Sequence, residues 1–392
     1  MTDAALVGRL LDEYHERSVP PADIHLAAGS EHESRVTYVL TLPDGSGQVI
    51  RAFRGDALVP VHGRDSRNLT VADWLIGRAH TLAWLEAAAY PAPRPVRTRT
   101  GELVGVAGPW LTWATSYVAG DLLLPTLSQL RSLGVTLGRL HAVAPWPALP
   151  SGRSGKADLA SQHPAVAGQA AMDRLDAVDG LVPAAWRPLY AACRETAETV
   201  LGASRAWAET VVHGDVWARN AVQADGGPVT LIGWEAGGLG VAVIDLGNCL
   251  LECHLDAAVP DHQPDAWLIA PDEDRIREVA AGYGSVRRLS AAELSLLPAA
   301  VKFATAVVGS VHFELALLSG VSGPAMDARL SRLENRMAVA DEVAELALEH
   351  LGPLCGRDGA RPGSCGTARA AGERYACARP RGGRVHGRIA QR

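Results

Sequence analysis

The chain has 392 residues, of which 48 % are hydrophobic, 20 % charged and 5 % aromatic, a length for two domains or one two-lobed domain and a composition that excludes wholesale disorder. The formal charge of −6 is uneven: residues 355–392 hold nine Arg against Asp358 and Glu373, a balance of +7 that leaves −13 for residues 1–354. The basic tail is poor in apolar residues and reads as a disordered, solvated extension rather than a nucleic-acid or lipid anchor.

The first element in chain order is an amphipathic helix over residues 3–17, with Ala5, Leu6, Leu10 and Leu11 on one face. Its charges Asp3, Asp12 and Glu13, and the lack of an apolar run before a cleavage site, speak against a secretory signal, so a cytoplasmic location is expected. From Ile24 to Leu42 the period shortens to that of two strands around a glycine-containing turn, and Pro43-Asp44-Gly45 leads through a hairpin into a third strand, Val49 to Arg54. A helix carrying Leu75, Leu82, Trp84 and Leu85 ends before Tyr90, because the prolines of YPAPRPV force an extended chain. Short strands near Leu103–Val106 and Leu111–Tyr117 complete a small antiparallel sheet.

After Gly120 helices dominate, over 127–144, 184–208, 274–283, 291–318 and 326–351. Ser290 with Glu293 makes a capping box ahead of the fourth of these, and Gly323-Pro324 separates it from the last. The apolar stretch from Phe303 to Met326 is interrupted by Glu314 and broken at Gly320, Gly323 and Pro324, so it reads as a buried helix and no membrane span is expected. One β-containing island, residues 211–234, interrupts the helices. The polar segment 150–164 is a loop; its GRSGKA has neither the glycine spacing nor the Ser/Thr of a phosphate loop. The plan is α+β and two-lobed: residues 1–117, residues 118–354 and the tail 355–392, with a cleft between the lobes.

The six cysteines, Cys193, Cys249, Cys253, Cys355, Cys365 and Cys377, do not form a disulfide framework. Cys249, Cys253 and His254 fall close together on a probable helix, but no second pair supplies the remaining ligands of a metal site.

The island holds His213-Gly214-Asp215-Val216-Trp217-Ala218-Arg219-Asn220, a carboxylate and a carboxamide five residues apart in a tight loop. Phosphoryl transfer uses those types: a carboxylate to orient a hydroxyl and accept its proton, and a neutral oxygen toward a metal. Read alone, Gly-Asp is also a common surface turn. The pattern resembles the catalytic loop of the protein-kinase-like fold, and its HGD is most similar to the aminoglycoside phosphotransferase and choline kinase family. TLIGWEAGGLGVAVIDLGN, RSLGVTLGRLHAV, WLEAAAYPAPRPV and RRLSAAELSLLP resemble further segments, so the likeness spans roughly residues 20–350.

That resemblance implies a small-molecule phosphotransferase using ATP or GTP with Mg2+. It makes Asp215 the catalytic base, Asn220 a magnesium ligand, His213 an organiser of the loop and Asp245 a buried carboxylate bonding the loop's backbone. On the nucleotide side it implies Gly29 and Ser30 in the phosphate-covering turn, Arg51 at the phosphate clamp, and Tyr117 and Val118 between the lobes. The chain's two lysines, Lys156 and Lys302, lie outside the small lobe, and arginine can clamp phosphate bidentately; alternatively Arg51 and Arg54 merely decorate a strand. Gly233 stands where the family has its metal-binding Asp, and Arg78 near the Glu that pairs with the clamp, an arrangement expected to repel Arg51. Spacing suggests Glu235 as a substitute metal ligand. The alternative is a pseudokinase that kept the fold as a binding or scaffolding protein. An acidic body suits a cationic acceptor, and Trp217, Trp234 and Trp267 either stack on a ring or pack as core.

Overall fold

The computed structural model describes residues 4–15, 23–29, 35–55, 70–143, 163–203, 209–224, 226–255 and 270–352. The tail, Ser30, Lys156, Trp267 and the cysteines at 355, 365 and 377 lie outside the described residues.

Alternation of apolar and polar residues builds the first sheet. Strands β1 (Asp23–Gly29), β2 (Arg35–Thr41), β3 (Gly47–Arg54), β4 (Pro95–Val96), β5 (Gly105–Ala107) and β6 (Trp110–Ser116) are antiparallel, in the order β1-β2-β3-β6-β4 with β5 also on β6. Val36, Tyr38 and Leu40 of β2 and Ile50 and Ala52 of β3 point to one face, where helix α1 (Ala4–Tyr14) covers them with Leu6, Leu10 and Tyr14. Each buried Val, Leu or Ile among them contributes roughly 1.5–3 kcal/mol. Arg35, Thr37 and Arg51 therefore fall on the opposite face, with Thr37 paired to Arg51 and Arg51 to Trp113 across the ladder. Helix α2 (Val71–Ala87) packs on that face through Trp74 against Phe53, capped by Thr70, whose hydroxyl accepts from the Asp73 N–H at 3.1 Å.

The second half contains α3 (Leu127–His141), α4 (Pro164–Val178), α5 (Arg187–Ala203), α6 (Ala242–Glu252), α7 (Glu273–Gly284), α8 (Ala291–Leu317) and α9 (Pro324–Leu351). Two small sheets interrupt them: β7 (Asp121–Leu122), β9 (Ala221–Gln223) and β10 (Val229–Leu231) in the order β10-β9-β7, and β8 (Thr210–Val212) paired with β11 (Gly238–Gly240). The expected capping box at Ser290 and Glu293 is present. The helix expected from residue 184 starts with a 3-10 turn, and its α-helical part begins at Arg187. Helix α4, rich in alanine, escaped the helix spacing, and α6 was expected only around Cys249.

One apolar cluster runs from Phe53 and Trp113 of the first sheet through α2 and α3 to Val343 and Leu351 of α9. The expected division at residue 117 therefore falls across a continuous core. Helix α8 alone among the described residues is long and apolar enough to cross a membrane, but 56 % of its most apolar window is buried in the fold. Its half-buried Ala304, Val308 and Val311 line the cleft described below, so the helix is apolar on two sides because it serves a core and a cavity wall.

Candidate active site

Strand β8 runs directly into His213-Gly214-Asp215. Gly214 has φ +78° and a Cβ there would stand 2.6 Å from the Ala236 carbonyl, so only glycine fits this turn. Asp245, one turn into α6, holds the loop from beneath: its carboxylate accepts from the His213 N–H at 2.7 Å and the Gly214 N–H at 2.9 Å. His141 of α3 donates to the same carboxylate from Nε2 at 3.2 Å and accepts from the Tyr283 hydroxyl at Nδ1, 3.0 Å. Burial opposes ionisation of Asp245, yet the hydrogen bonds from His141 and from the loop amides hold its carboxyl below the usual range. Burial pushes His141 down as well, so a neutral imidazole donates to a carboxylate.

The His213 ring bonds to both sides of the loop. Its Nε2 donates to the Ile232 carbonyl at 2.8 Å, its Nδ1 accepts from the Asp215 N–H at 3.3 Å, and it meets the buried Trp234 edge to face at 4.6 Å. Asp215 is exposed to the cleft, while Val216 behind it is fully buried. The Asn220 amide donates to the Asp215 carboxylate at 2.7 Å and to its backbone carbonyl at 2.9 Å. Asp215, Asn220, Gly233, Glu235, Arg51 and Asp245 all line one cavity of about 940 Å³.

On the nucleotide side Arg51 Nε lies 2.5 Å from Glu235 Oε1, and its guanidinium stands 5.6 Å from the Trp113 ring centroid. The expected repulsion by Arg78 does not arise. Arg78 is fully buried and its Nε donates to the Glu235 backbone carbonyl at 3.0 Å. The helix supplies a cation that anchors the turn, and the turn supplies the carboxylate for the clamp. Glu235, suggested by spacing as a metal ligand, has its Oε1 on Arg51, an ion pair that competes with a metal for this carboxylate. Tyr117 is exposed and donates from its N–H to the Gly47 carbonyl at 2.8 Å; neither it nor Val118 lines the cavity. Gly29 ends β1 opposite Val36.

The residues present do not fit a divalent ion held as the family motif implies. Gly233 offers no side chain, and at φ +74° a Cβ there would stand 2.7 Å from Asn220 Oδ1. With Glu235 paired to Arg51, Asp215 and the Asn220 oxygen are what remains, and among the described residues no group of three or more His, Cys, Asp or Glu could hold a metal. The Cys249–Cys253–His254 cluster gives no site: both thiols are buried and pushed upward by burial, and Cys253 donates to the Leu250 carbonyl.

Four charged lining residues were missed by sequence reasoning. Arg35 was accessible from strand alternation, which puts it on the face of Thr37. Arg219, one residue before Asn220, has its guanidinium 4.9 Å from the half-buried Trp217 ring. Glu252 and Arg336 form a two-bonded ion pair at 2.8 and 3.1 Å, between α6 and α9; 84 residues apart, they gave no local signal. Burial pushes the Glu252 carboxyl up, Arg336 opposes this, and the charge of Asp215 adds to it. Trp234 is core.

A carboxylate displayed on a loop pinned by a buried Asp, sharing a cavity with an arginine on a six-stranded antiparallel sheet, is the arrangement of a protein-kinase-like phosphotransferase. Residues 66–288 match the family described as the phosphotransferase enzyme family, APH, and the chain belongs to it: it is a phosphotransferase enzyme of protein-kinase-like α+β fold. The chain is 25 % identical over 288 residues to homoserine kinase of Acidiphilium cryptum, covering 66 % of this chain and 76 % of that one. The structure of an amicoumacin kinase in complex with AMP-PNP, Ca2+ and Ami superimposes with a TM-score of 0.61 at 13 % identity, over 87 % of this chain and 94 % of that one. Choline kinase from Cryptosporidium parvum does so with a TM-score of 0.54 at 10 % identity, over 90 % and 96 %.

Proposed function

We propose that this enzyme moves the γ-phosphoryl group of ATP or GTP to a hydroxyl of a small-molecule acceptor. The carrying observation is that Asp215 and Arg51 line the same cavity from opposite lobes. The acceptor oxygen attacks the γ-phosphorus, the bond to the β,γ-bridging oxygen breaks, the nucleoside diphosphate leaves, and the hydroxyl proton passes to Asp215. Asn220 fixes the Asp215 carboxylate through its amide. Arg51, aligned by Glu235, steadies the departing phosphates.

The acceptor lies on the helical side of the cavity. Phe303, Val307 and Val311 recur every four residues on α8, Ala304 and Val308 flank them, and the carboxylate of Glu252 is already matched by Arg336. This lining favours an acceptor with an apolar body and a reactive hydroxyl over the polycation suggested by the acidic surface. An antibiotic or secondary metabolite meets that description.

The test is release of ADP or GDP by the full chain from ATP or GTP with a panel of hydroxylated acceptors, among them the macrolide erythromycin, the polycation kanamycin, ethanolamine and homoserine. Acceptor-dependent release abolished by Asp215→Asn supports phosphotransfer. Release absent throughout, with intact nucleotide binding, favours the binding-protein reading motivated by Gly233.

A further inference from the structure

We infer that this cleft takes the phosphates of its nucleotide on three guanidinium groups, Arg35, Arg51 and Arg219, and binds them without a protein-held divalent ion; this rests on the nucleotide reading of the site given above. Two observations converge on it. The first is the loss of ligands: glycine at 233 in a left-handed conformation, its side-chain space taken by Asn220, and Glu235 committed to Arg51.

The second is a gain of cations around the same space. Arg35 and Arg51 project from the cleft face of neighbouring strands, with Thr37 of the same face paired to Arg51 across the ladder. Arg219 enters the same cavity from the catalytic loop, on the opposite lobe. Two of the three guanidinium groups lie near aromatic rings, Arg51 at 5.6 Å from Trp113 and Arg219 at 4.9 Å from Trp217. An arginine held this way keeps its face on the ring and its edge for oxygen, which suits bidentate contact with phosphate.

Guanidinium also stays charged across the working pH range, so it can neutralise phosphate oxygens with no ion to recruit. The Arg51–Glu235 pair does not cancel this. Glu235 contacts Nε, and a guanidinium carries further N–H donors on its two terminal nitrogens. The ligand class is the polyphosphate of a free nucleotide rather than of its magnesium complex.

The experiment is calorimetric titration of the full chain with ATP, once in excess EDTA and once in excess Mg2+. The expected Kd in EDTA lies within fivefold of that in Mg2+, and Arg35→Ala and Arg219→Ala each weaken binding in EDTA at least fivefold. The exposed Arg277, paired with Asp274 on α7 away from the cleft, serves as control, and Arg277→Ala leaves the Kd unchanged. Thermal melting verifies that each variant is folded. Magnesium tightening the Kd by more than fivefold overturns the inference while leaving the nucleotide reading intact. Unchanged Kd values for Arg35→Ala and Arg219→Ala, or an equal loss in Arg277→Ala, overturn it as well. Absence of binding in both conditions overturns the nucleotide reading and the inference together.

Discussion

Arg51 on β3 and Glu235 in the turn after Gly233 meet at 2.5 Å, side chains only 15 % and 25 % exposed, and join the first sheet to the hairpin that carries the catalytic loop. Arg78 fixes the backbone of the same glutamate from α2. Arg51 is therefore aligned by a residue 184 positions away in the chain, two residues past Gly233.

Removing either partner should raise the KM for nucleotide with a smaller change in kcat. A double-mutant cycle of Arg51→Ala and Glu235→Gln, read by nucleotide affinity, should show a coupling of about 1–3 kcal/mol, the size expected for hydrogen bonds between charged groups. Additive losses would mean that the two residues act separately.

Asp215→Asn should cut turnover roughly 100- to 10,000-fold, the contribution of a positioned general base. Because Asp215 is exposed, its melting temperature should stay close to that of the parent. Steady-state kinetics and thermal melting on the same preparation check both halves.

Asp245→Ala should behave in the opposite way. Two backbone N–H groups and His141 Nε2 would lose their acceptor in the interior, at a cost of about 3–5 kcal/mol, as for a broken buried pair. Urea unfolding measures it, and turnover should fall because the loop loses its anchor.

Acid sensitivity has a defined window. Burial pushes His254 from 6.5 to about 4 and lowers His141 too. Below pH 6.5 the unfolded chain takes up these protons and the folded one does not, so the stability is full above pH 6.5 and is lost as pH falls toward 4. For His254 the loss amounts to roughly 3 kcal/mol. Asp245, also lowered, adds to the loss only below its ordinary 3.8. Urea midpoints between pH 7.5 and 4.5 should fall steadily, and less so in His254→Gln.

Helices α3 and α7 cross at backbone contact. A Cβ on Gly134 would stand 2.3 Å from the Val279 carbonyl, and one on Gly282 would stand 2.1 Å from the Arg131 carbonyl. Gly134→Ala and Gly282→Ala should each destabilise by about 1–3 kcal/mol through overpacking, and by more if the crossing cannot separate. Because His141 and Tyr283 sit on this crossing, catalytic activity should fall in step with the melting temperature.

Sequence by itself determined the local chemistry. Alternation in residues 35–54 and 110–116, the capping box at Ser290, and the spacing of His213, Asp215 and Asn220 depend on near neighbours, so their meaning survives in one dimension. The resemblance also singled out Asp245, whose carboxylate accepts from the His213 and Gly214 amides. What only the tertiary structure decided is which charge meets which. Arg51 was expected beside a hostile Arg78 and instead pairs with Glu235; Glu252 finds Arg336; His141 finds Asp245. Ion pairs act over a few ångströms between groups dozens or hundreds of residues apart, and desolvation on burial sets their strength. Neither separation nor burial is written in the local pattern, so the same residue types that located the catalytic loop left the partners around it undecided until the chain was folded.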